Sequence, residues 1–178
     1  MASDGRVSVG DISIREDYKK LYRYSKNVCI GFSGTLSCCE VMIDSINKYR
    51  ENNYSLEKVF SICRETSNMI VDLQIYNGLG KILLIVGGRS FETNSIRFLT
   101  FSTLNRETSE DLNPTCENTC YASASPSIGF SNGIFRKHLD TIRPHTNLNL
   151  REAINRTIYE ASNISNEINT VIFYERIR

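Results

Sequence analysis

Lys19-Lys-Leu-Tyr-Arg-Tyr-Ser-Lys-Asn-Val-Cys-Ile-Gly-Phe-Ser-Gly34 decides how the rest of the chain is read. Lys20 to Tyr24 and Val28 to Phe32 are rich in β-branched and aromatic residues. They predict two strands joined by the polar turn Ser25-Lys26-Asn27. Ser33-Gly34-Thr35 then ends the second strand. Beyond it Leu36, Cys39, Met42 or Ile43, Ile46 and Tyr49 recur at helical spacing. The segment therefore predicts a hairpin running through a glycine corner into a helix.

Working outward, Arg6 to Ile14 alternates around a Gly10-Asp11 turn and predicts a short hairpin. A second helix is expected after Ser55, its N-cap, with Glu57 in the first turn. Its apolar stripe is Leu56, Val59, Phe60, Cys63, Ile70 and Leu73. Asn77-Gly78 and Gly80 break the chain before Lys81-Ile-Leu-Leu-Ile-Val-Gly-Gly88, which is apolar enough for a strand buried on both faces. Ser95 to Phe101 predicts a further strand. Asn105 to Asn118 is acidic, polar and contains Pro114, so it reads as an exposed loop. A short strand over Thr119 to Ala124 and a third helix over Asn132 to Ile142 follow. A fourth helix is expected at Asn149, with Glu152 completing a capping box, Leu148 and Ala153 as a staple, and a stripe of Leu150, Ala153, Ile154, Ile158 and Ala161. Thr170 to Tyr174 closes the order as a strand.

The order is strands, two helices, strands, two helices, strand. It predicts an α+β fold with antiparallel sheets, built as a four-layer α-β-β-α sandwich with each sheet covered by a helix pair. The length of 178 residues fits one domain over 1–178. Twenty-one Lys and Arg against twenty Asp and Glu leave a net charge of +1, which gives no basic field for nucleic acid or anionic lipid. Ile82 to Val86 is the longest aliphatic run, far short of a membrane span. Met1 to Gly10 carries no apolar signal-peptide core, so a cytoplasmic protein with reduced thiols is expected.

The six cysteines divide into four on apolar stripes (Cys29, Cys38, Cys39, Cys63) and the pair Cys116 and Cys120, spaced like a clip. With no second Cys or His pair nearby, two loop thiols are a simpler reading of that pair than zinc or redox chemistry. His138 and His145 are not at metal spacing and read as surface residues. The chain contains no GxxxxGK[ST] loop. One constellation stands out: Asp4 ahead of a strand, Lys20 at the start of another, and Gly34 at a strand-to-helix turn. A Lys held beside an Asp can act on a reacting centre, and a backbone N–H ahead of a helix suits an oxyanion. The same three residues also fit an ion pair and a turn glycine with no chemistry.

Met-Ala-Ser-Asp4-Gly-Arg6-Val, Lys19-Lys20-Leu-Tyr-Arg-Tyr, Ile30-Gly-Phe-Ser-Gly34, Leu83 to Gly88 and Leu150 to Ala161 together resemble successive elements of proteasome β subunits. They also resemble the bacterial proteasome-like peptidase that pairs with an ATPase unfoldase. Both are N-terminal-nucleophile hydrolases. The resemblance implies a threonine peptidase in a homo-oligomeric ring, with a peptide substrate, a possible ATPase unfoldase partner, and no cofactor or metal. It implies that Asp4 orients Lys20, that Lys20 lowers the proton affinity of an N-terminal Thr, and that the Gly34 N–H holds the oxyanion, with Arg6 as support. It implies a substrate pocket lined by Val7, Tyr18, Tyr22, Phe32 and Leu36. The chain departs from the pattern in three places. Met1 and Ala2 carry no nucleophile and the first strand is missing. Phe130 stands where a serine is expected. Asn163, Ser165 and Asn166 stand where a carboxylate is expected. The alternatives are therefore a catalytically inactive scaffold subunit of the same fold, or a redox or metal module around Cys116 and Cys120.

Overall fold

A computed structural model describes residues 1–9, 12–73, 80–104, 109–112, 134, 137–138, 140–141, 147–164 and 171–175. They fall into two compact units, one of residues 1, 21–124 and 175–178, the other of residues 2–20 and 125–174.

The first unit is organised by an antiparallel sheet of β4 (Leu21–Arg23), β5 (Val28–Gly34), β6 (Ile82–Arg89), β7 (Ile96–Ser102) and β8 (Ser109–Leu112), in that order. The predicted hairpin is β4–β5, in register Leu21↔Gly31. The run at 81–88 is β6, the central strand, and its residues are buried on both faces from Ile82 to Val86 except for half-buried Ile85. β8 corrects the loop reading of Asn105 to Asn118: Ser109–Leu112 pairs with β7 in register Phe98↔Leu112. An edge strand needs only one bonded neighbour and tolerates charge, so Ser-Glu-Asp-Leu pairs although its sequence lacks an apolar face.

α1 (Leu36–Asn47) and α2 (Leu56–Asp72) pack on each other and on β5 and β6. Cys38, Cys39, Met42 and Ile46 are the buried residues of α1, and Leu56, Val59, Phe60, Cys63 and Ile70 are buried on α2. Burial alone pushes the Cys63 thiol up to about 12, so it stays a neutral hydrophobe. Cys29, Cys38, Cys39 and Cys63 are buried and not in disulfides. Ser55 Oγ accepts from Lys58 N at 3.3 Å, the expected N-cap. Leu73 departs from its predicted core position: α2 ends at Asp72, and Leu73 lies past the last turn with 64% of its surface exposed.

In the second unit, β1 (Ala2–Asp4) pairs antiparallel with β9 (Ile172–Tyr174), and β2 (Val7–Val9) with β3 (Ile12–Arg15). The β2–β3 ladder is the predicted N-terminal hairpin. α3 (Asn147–Ile164) starts two residues before the predicted start at Asn149, so Asn149 lies inside the helix and not at its N-cap. Thr146, Asn147 and Asn149 are all cap-competent types, and the box pattern alone does not choose among them. Glu152 instead accepts from Arg156 one turn on. Ala153 and Ala161 are buried as predicted, joined by Thr157, whose hydroxyl donates to the Ala153 carbonyl at 2.7 Å. Ile134, Lys137, His138, Asp140 and Thr141 are helical, within the predicted third helix. The predicted strand at 119–124, Cys116, Cys120, Phe130, His145 and the 165–166 stretch lie outside the described residues. The architecture is α+β with antiparallel sheets.

Candidate active-site residues

Asp4 ends β1 and Lys20 immediately precedes β4. Their pairing is set by the local path of the chain. Gly5 is buried, with its carbonyl accepting from Tyr18 N at 2.9 Å, and a Cβ there would sit 2.6 Å from the Glu16 carbonyl oxygen. Only glycine lets the two backbones approach this closely. The contact folds Glu16 to Lys20 back along Asp4 to Arg6. Lys20 Nζ then lies 2.8 Å from Asp4 Oδ1, with the side chains 18% and 15% exposed. The other oxygen, Asp4 Oδ2, accepts from Arg6 N at 3.0 Å. The carboxylate thus holds one cation and one backbone donor. Arg6 itself turns to Glu16, Nε to Oε1 at 3.1 Å.

Gly34 lies in the other unit, at the corner between β5 and α1. Its φ is +121°, a backbone conformation that L side chains rarely adopt, and a Cβ there would meet the Lys81 carbonyl oxygen at 2.1 Å. The corner is fixed by a reciprocal pair: Thr35 N donates to Lys81 O at 2.7 Å, and Lys81 N donates to Thr35 Oγ1 at 3.1 Å. Because the Thr35 hydroxyl serves Lys81, it does not cap α1, and no acidic residue lies in the first turn. The first N–H groups of α1 therefore keep their uncompensated positive end.

The remaining predicted residues divide the same way. Val7 and Tyr18 lie in the second unit, both half-buried, with the Arg15 guanidinium 5.2 Å from the Tyr18 ring centroid. Tyr22, Phe32 and Leu36 lie in the first. Tyr22 bonds Asn47 through its hydroxyl, Leu36 is half-buried, and Phe32 is 7% exposed.

Sequence reasoning missed a polar cluster in the second unit. His138 Nε2 lies 2.8 Å from Glu160 Oε2, and Lys137 Nζ 2.9 Å from Glu160 Oε1. The Lys137 hydrogen bond, more than that of His138, holds the Glu160 carboxyl below its ordinary range. His138 is thus a partly buried partner of α3, with 15% side-chain exposure, and not the surface residue expected. Nothing in the sequence marks a pair separated by 22 positions. Among the described residues, no group of three or more His, Cys, Asp or Glu could hold a metal, and no helix is long and apolar enough to cross a membrane.

No protein-family profile matches the chain, and no curated protein does. Solved structures do. Eukaryotic HslV from Trypanosoma brucei is 15% identical, with a TM-score of 0.59, over 97% of this chain and 88% of that one. Anbu, the ancestral β-subunit, from Yersinia bercovieri is 13% identical, with a TM-score of 0.69, over 96% of this chain and 74% of that one. At such identities the likeness is one of fold. The chain has a proteasome β-subunit-like fold.

Proposed function

We propose that this chain is a proteasome β-type subunit, one domain over 1–178 in four α-β-β-α layers, that hydrolyses peptide bonds as a threonine peptidase within a homo-oligomeric ring in the cytoplasm. The single observation that carries the reading is the half-buried Lys20–Asp4 pair at 2.8 Å in a proteasome β-subunit-like fold. In this reading an N-terminal Thr on a segment ahead of Met1 supplies the nucleophile, and its α-amine accepts the hydroxyl proton. An α-amino pKa of ~7.7–8.0 suits that task near neutral pH. The hydroxyl oxygen attacks the scissile carbonyl carbon and the C–N bond breaks. The amine returns the proton to the leaving nitrogen, and water hydrolyses the resulting ester. Lys20 lowers the proton affinity of the hydroxyl, Asp4 fixes Lys20, and the Gly34 N–H, at the uncapped start of α1, stabilises the oxyanion. No residue of the mechanism calls for a cofactor, and an ATPase unfoldase is a possible partner.

The resemblance also assigns Val7, Tyr18, Tyr22, Phe32 and Leu36 to the pocket for the residue before the scissile bond. Phe32 at its base favours small or medium apolar residues over large aromatics and over Lys or Arg, by on the order of ten to two hundred fold. F32A then raises kcat/KM for aromatic substrates relative to small ones. An unchanged ratio in folded protein makes Phe32 a core residue only.

The test is turnover of fluorogenic peptides by native protein whose N-terminus has been sequenced. An N-terminal Thr with inhibitor-sensitive hydrolysis, lost in K20A, supports the reading. An in-frame stop just upstream of Met1 together with no turnover overturns it. That outcome favours the second reading, an inactive scaffold subunit of the same fold, for which Phe130 in place of the expected serine speaks.

A further inference from the structure

Asp4 and Lys20 meet across two stretches that are not stiff by themselves. Gly5, which lets the Glu16 carbonyl come close, has more backbone freedom to lose than any other residue type, and it stands between Asp4 and Arg6. From Glu16 to Lys20 the chain leaves β3 and reaches β4 without regular structure. The geometry of the pair therefore depends on what ties the two stretches together.

Glu16 supplies such a tie. Arg6 Nε lies 3.1 and 3.2 Å from its two carboxylate oxygens, and the Ser13 hydroxyl of β3 donates to Oε1. Arg6 is held at both ends. Its guanidinium sits on Glu16, and its backbone N–H donates to Asp4 Oδ2 at 3.0 Å. Asp4 Oδ1 in turn accepts from Lys20 Nζ at 2.8 Å. The links run in series from Glu16 through Arg6 and Asp4 to Lys20, all within the second unit. The Glu16 side chain is 46% exposed and that of Arg6 21%. An ion pair so open adds little to stability, so its effect on geometry can be read apart from its effect on folding.

We propose that Glu16 is a positioning residue: through Arg6 it fixes the orientation of the Asp4 carboxylate and thereby the place of the Lys20 ammonium. Without the tie the Gly5 turn relaxes, the Arg6 N–H leaves Asp4 Oδ2, and the carboxylate is free to rotate. The flexible Lys20 stem then follows a moving partner. The catalytic consequence rests on the peptidase reading above. There a displacement of about 1 Å in the cation beside the nucleophile costs on the order of a hundredfold in rate.

The test is the coupling between Asp4 and Lys20, measured on the full chain by urea unfolding of D4N, K20M and the double variant, with circular dichroism as the check on folding. In the wild-type background it is expected to be on the order of two- to a hundredfold in the unfolding constant. Repeating the cycle in E16A, and separately in R6A, is expected to bring it close to one. The E16A/R6A background should show no further loss, because the two residues act in series. E16Q, which keeps an acceptor for Arg6 Nε and Ser13 Oγ, should retain most of the coupling. Thr103→Val, which removes a buried hydrogen bond in the first unit, should lower stability and leave the coupling unchanged. In native protein that turns over peptides, E16A should lower kcat tenfold or more with KM within twofold. Unchanged coupling in E16A and R6A, or no coupling in wild type, overturns the proposal whether or not the protein is active. Lost coupling in protein without turnover leaves Glu16 as a positioning residue and removes the peptidase reading.

Discussion

Gly34→Ala tests the geometry of the strand-to-helix corner. An added Cβ would lie 2.1 Å from Lys81 O, 2.8 Å from Lys81 C and 3.3 Å from Ile82 Cα, all backbone atoms of the strand start to which the corner is bonded. No rotamer relieves such a contact, so either β6 shifts away from β5 or the corner unwinds. Holding a non-glycine residue at φ +121° costs about 1–3 kcal/mol, and forcing the extra volume into a packed corner about 1–3 kcal/mol more. The sum, roughly 2–6 kcal/mol, is a large share of the 5–15 kcal/mol that typically holds a domain together. It lowers Tm by about 2–4 °C for each kcal/mol in a chain of this size. Gly31→Ala is the control. Its Cβ would meet the tips of Met1 and Leu21 at 3.0 and 3.4 Å, which can swing aside, and the Ile85 carbonyl oxygen at 3.8 Å, an ordinary contact. Urea and thermal unfolding of both variants decide the matter. A loss below about 1 kcal/mol for G34A, or equal losses for the two, refutes the positive-φ corner and with it the oxyanion role argued for the Gly34 N–H.

Thr103→Val should cost about 1–3 kcal/mol in urea unfolding, because the Thr103 hydroxyl accepts from the buried Ile82 N at 2.9 Å and nothing replaces it. Lys20→Met should destabilise by a similar amount, since it leaves the half-buried Asp4 carboxylate without its cation, and a double-mutant cycle with Asp4→Asn should give a coupling of about 0.5–3 kcal/mol. Glu57 has a pH signature. Burial raises its pKa, but hydrogen bonds from Ser90 and Ser55 and the Arg97 guanidinium outweigh it and leave the carboxyl below its ordinary value of 4.5. Its stabilising contribution is therefore present above the unfolded pKa and lost as pH falls through the folded one. Wild type should exceed Glu57→Gln in stability at neutral pH, and the gap should close in acid.

What the sequence made legible is what periodicity and local turn chemistry control. β4, β5 and β6, both helices of the first unit and the Ser55 cap follow from residues within a few positions of one another. β8 was not legible, because an edge strand is held by its neighbour's backbone groups, and Ser-Glu-Asp-Leu announces no face. Leu73 failed because a stripe at helical spacing does not say where the helix stops. Asp4, Lys20 and Gly34 could be singled out by residue type and setting, but not the reason Asp4 meets Lys20. That reason is a bare Gly5 backbone against the Glu16 carbonyl, a three-dimensional contact with no pattern of its own. His138 and Glu160 lie on segments joined only by folding, so no spacing rule reaches them.

The Lys20–Asp4 pair separates the two functional readings by its energetics. Taking two charges mostly out of water costs more than their attraction returns unless further hydrogen bonds share the load, and here Asp4 has one such bond, from Arg6 N. An apolar pair of similar volume would hold the same fold as well or better. D4L/K20M is therefore expected to match or exceed wild-type stability, whereas either single change destabilises by stranding a charge. If the subunit is a peptidase, the same double variant abolishes peptide turnover in protein that folds and assembles normally, because the cation beside the nucleophile has gone. If the subunit is a scaffold, the double variant is silent in every assay. A double variant that unfolds would show that the pair, with its Arg6 N–H, is what holds β1 to the segment at Lys20, and the argument from cost to chemistry would be wrong.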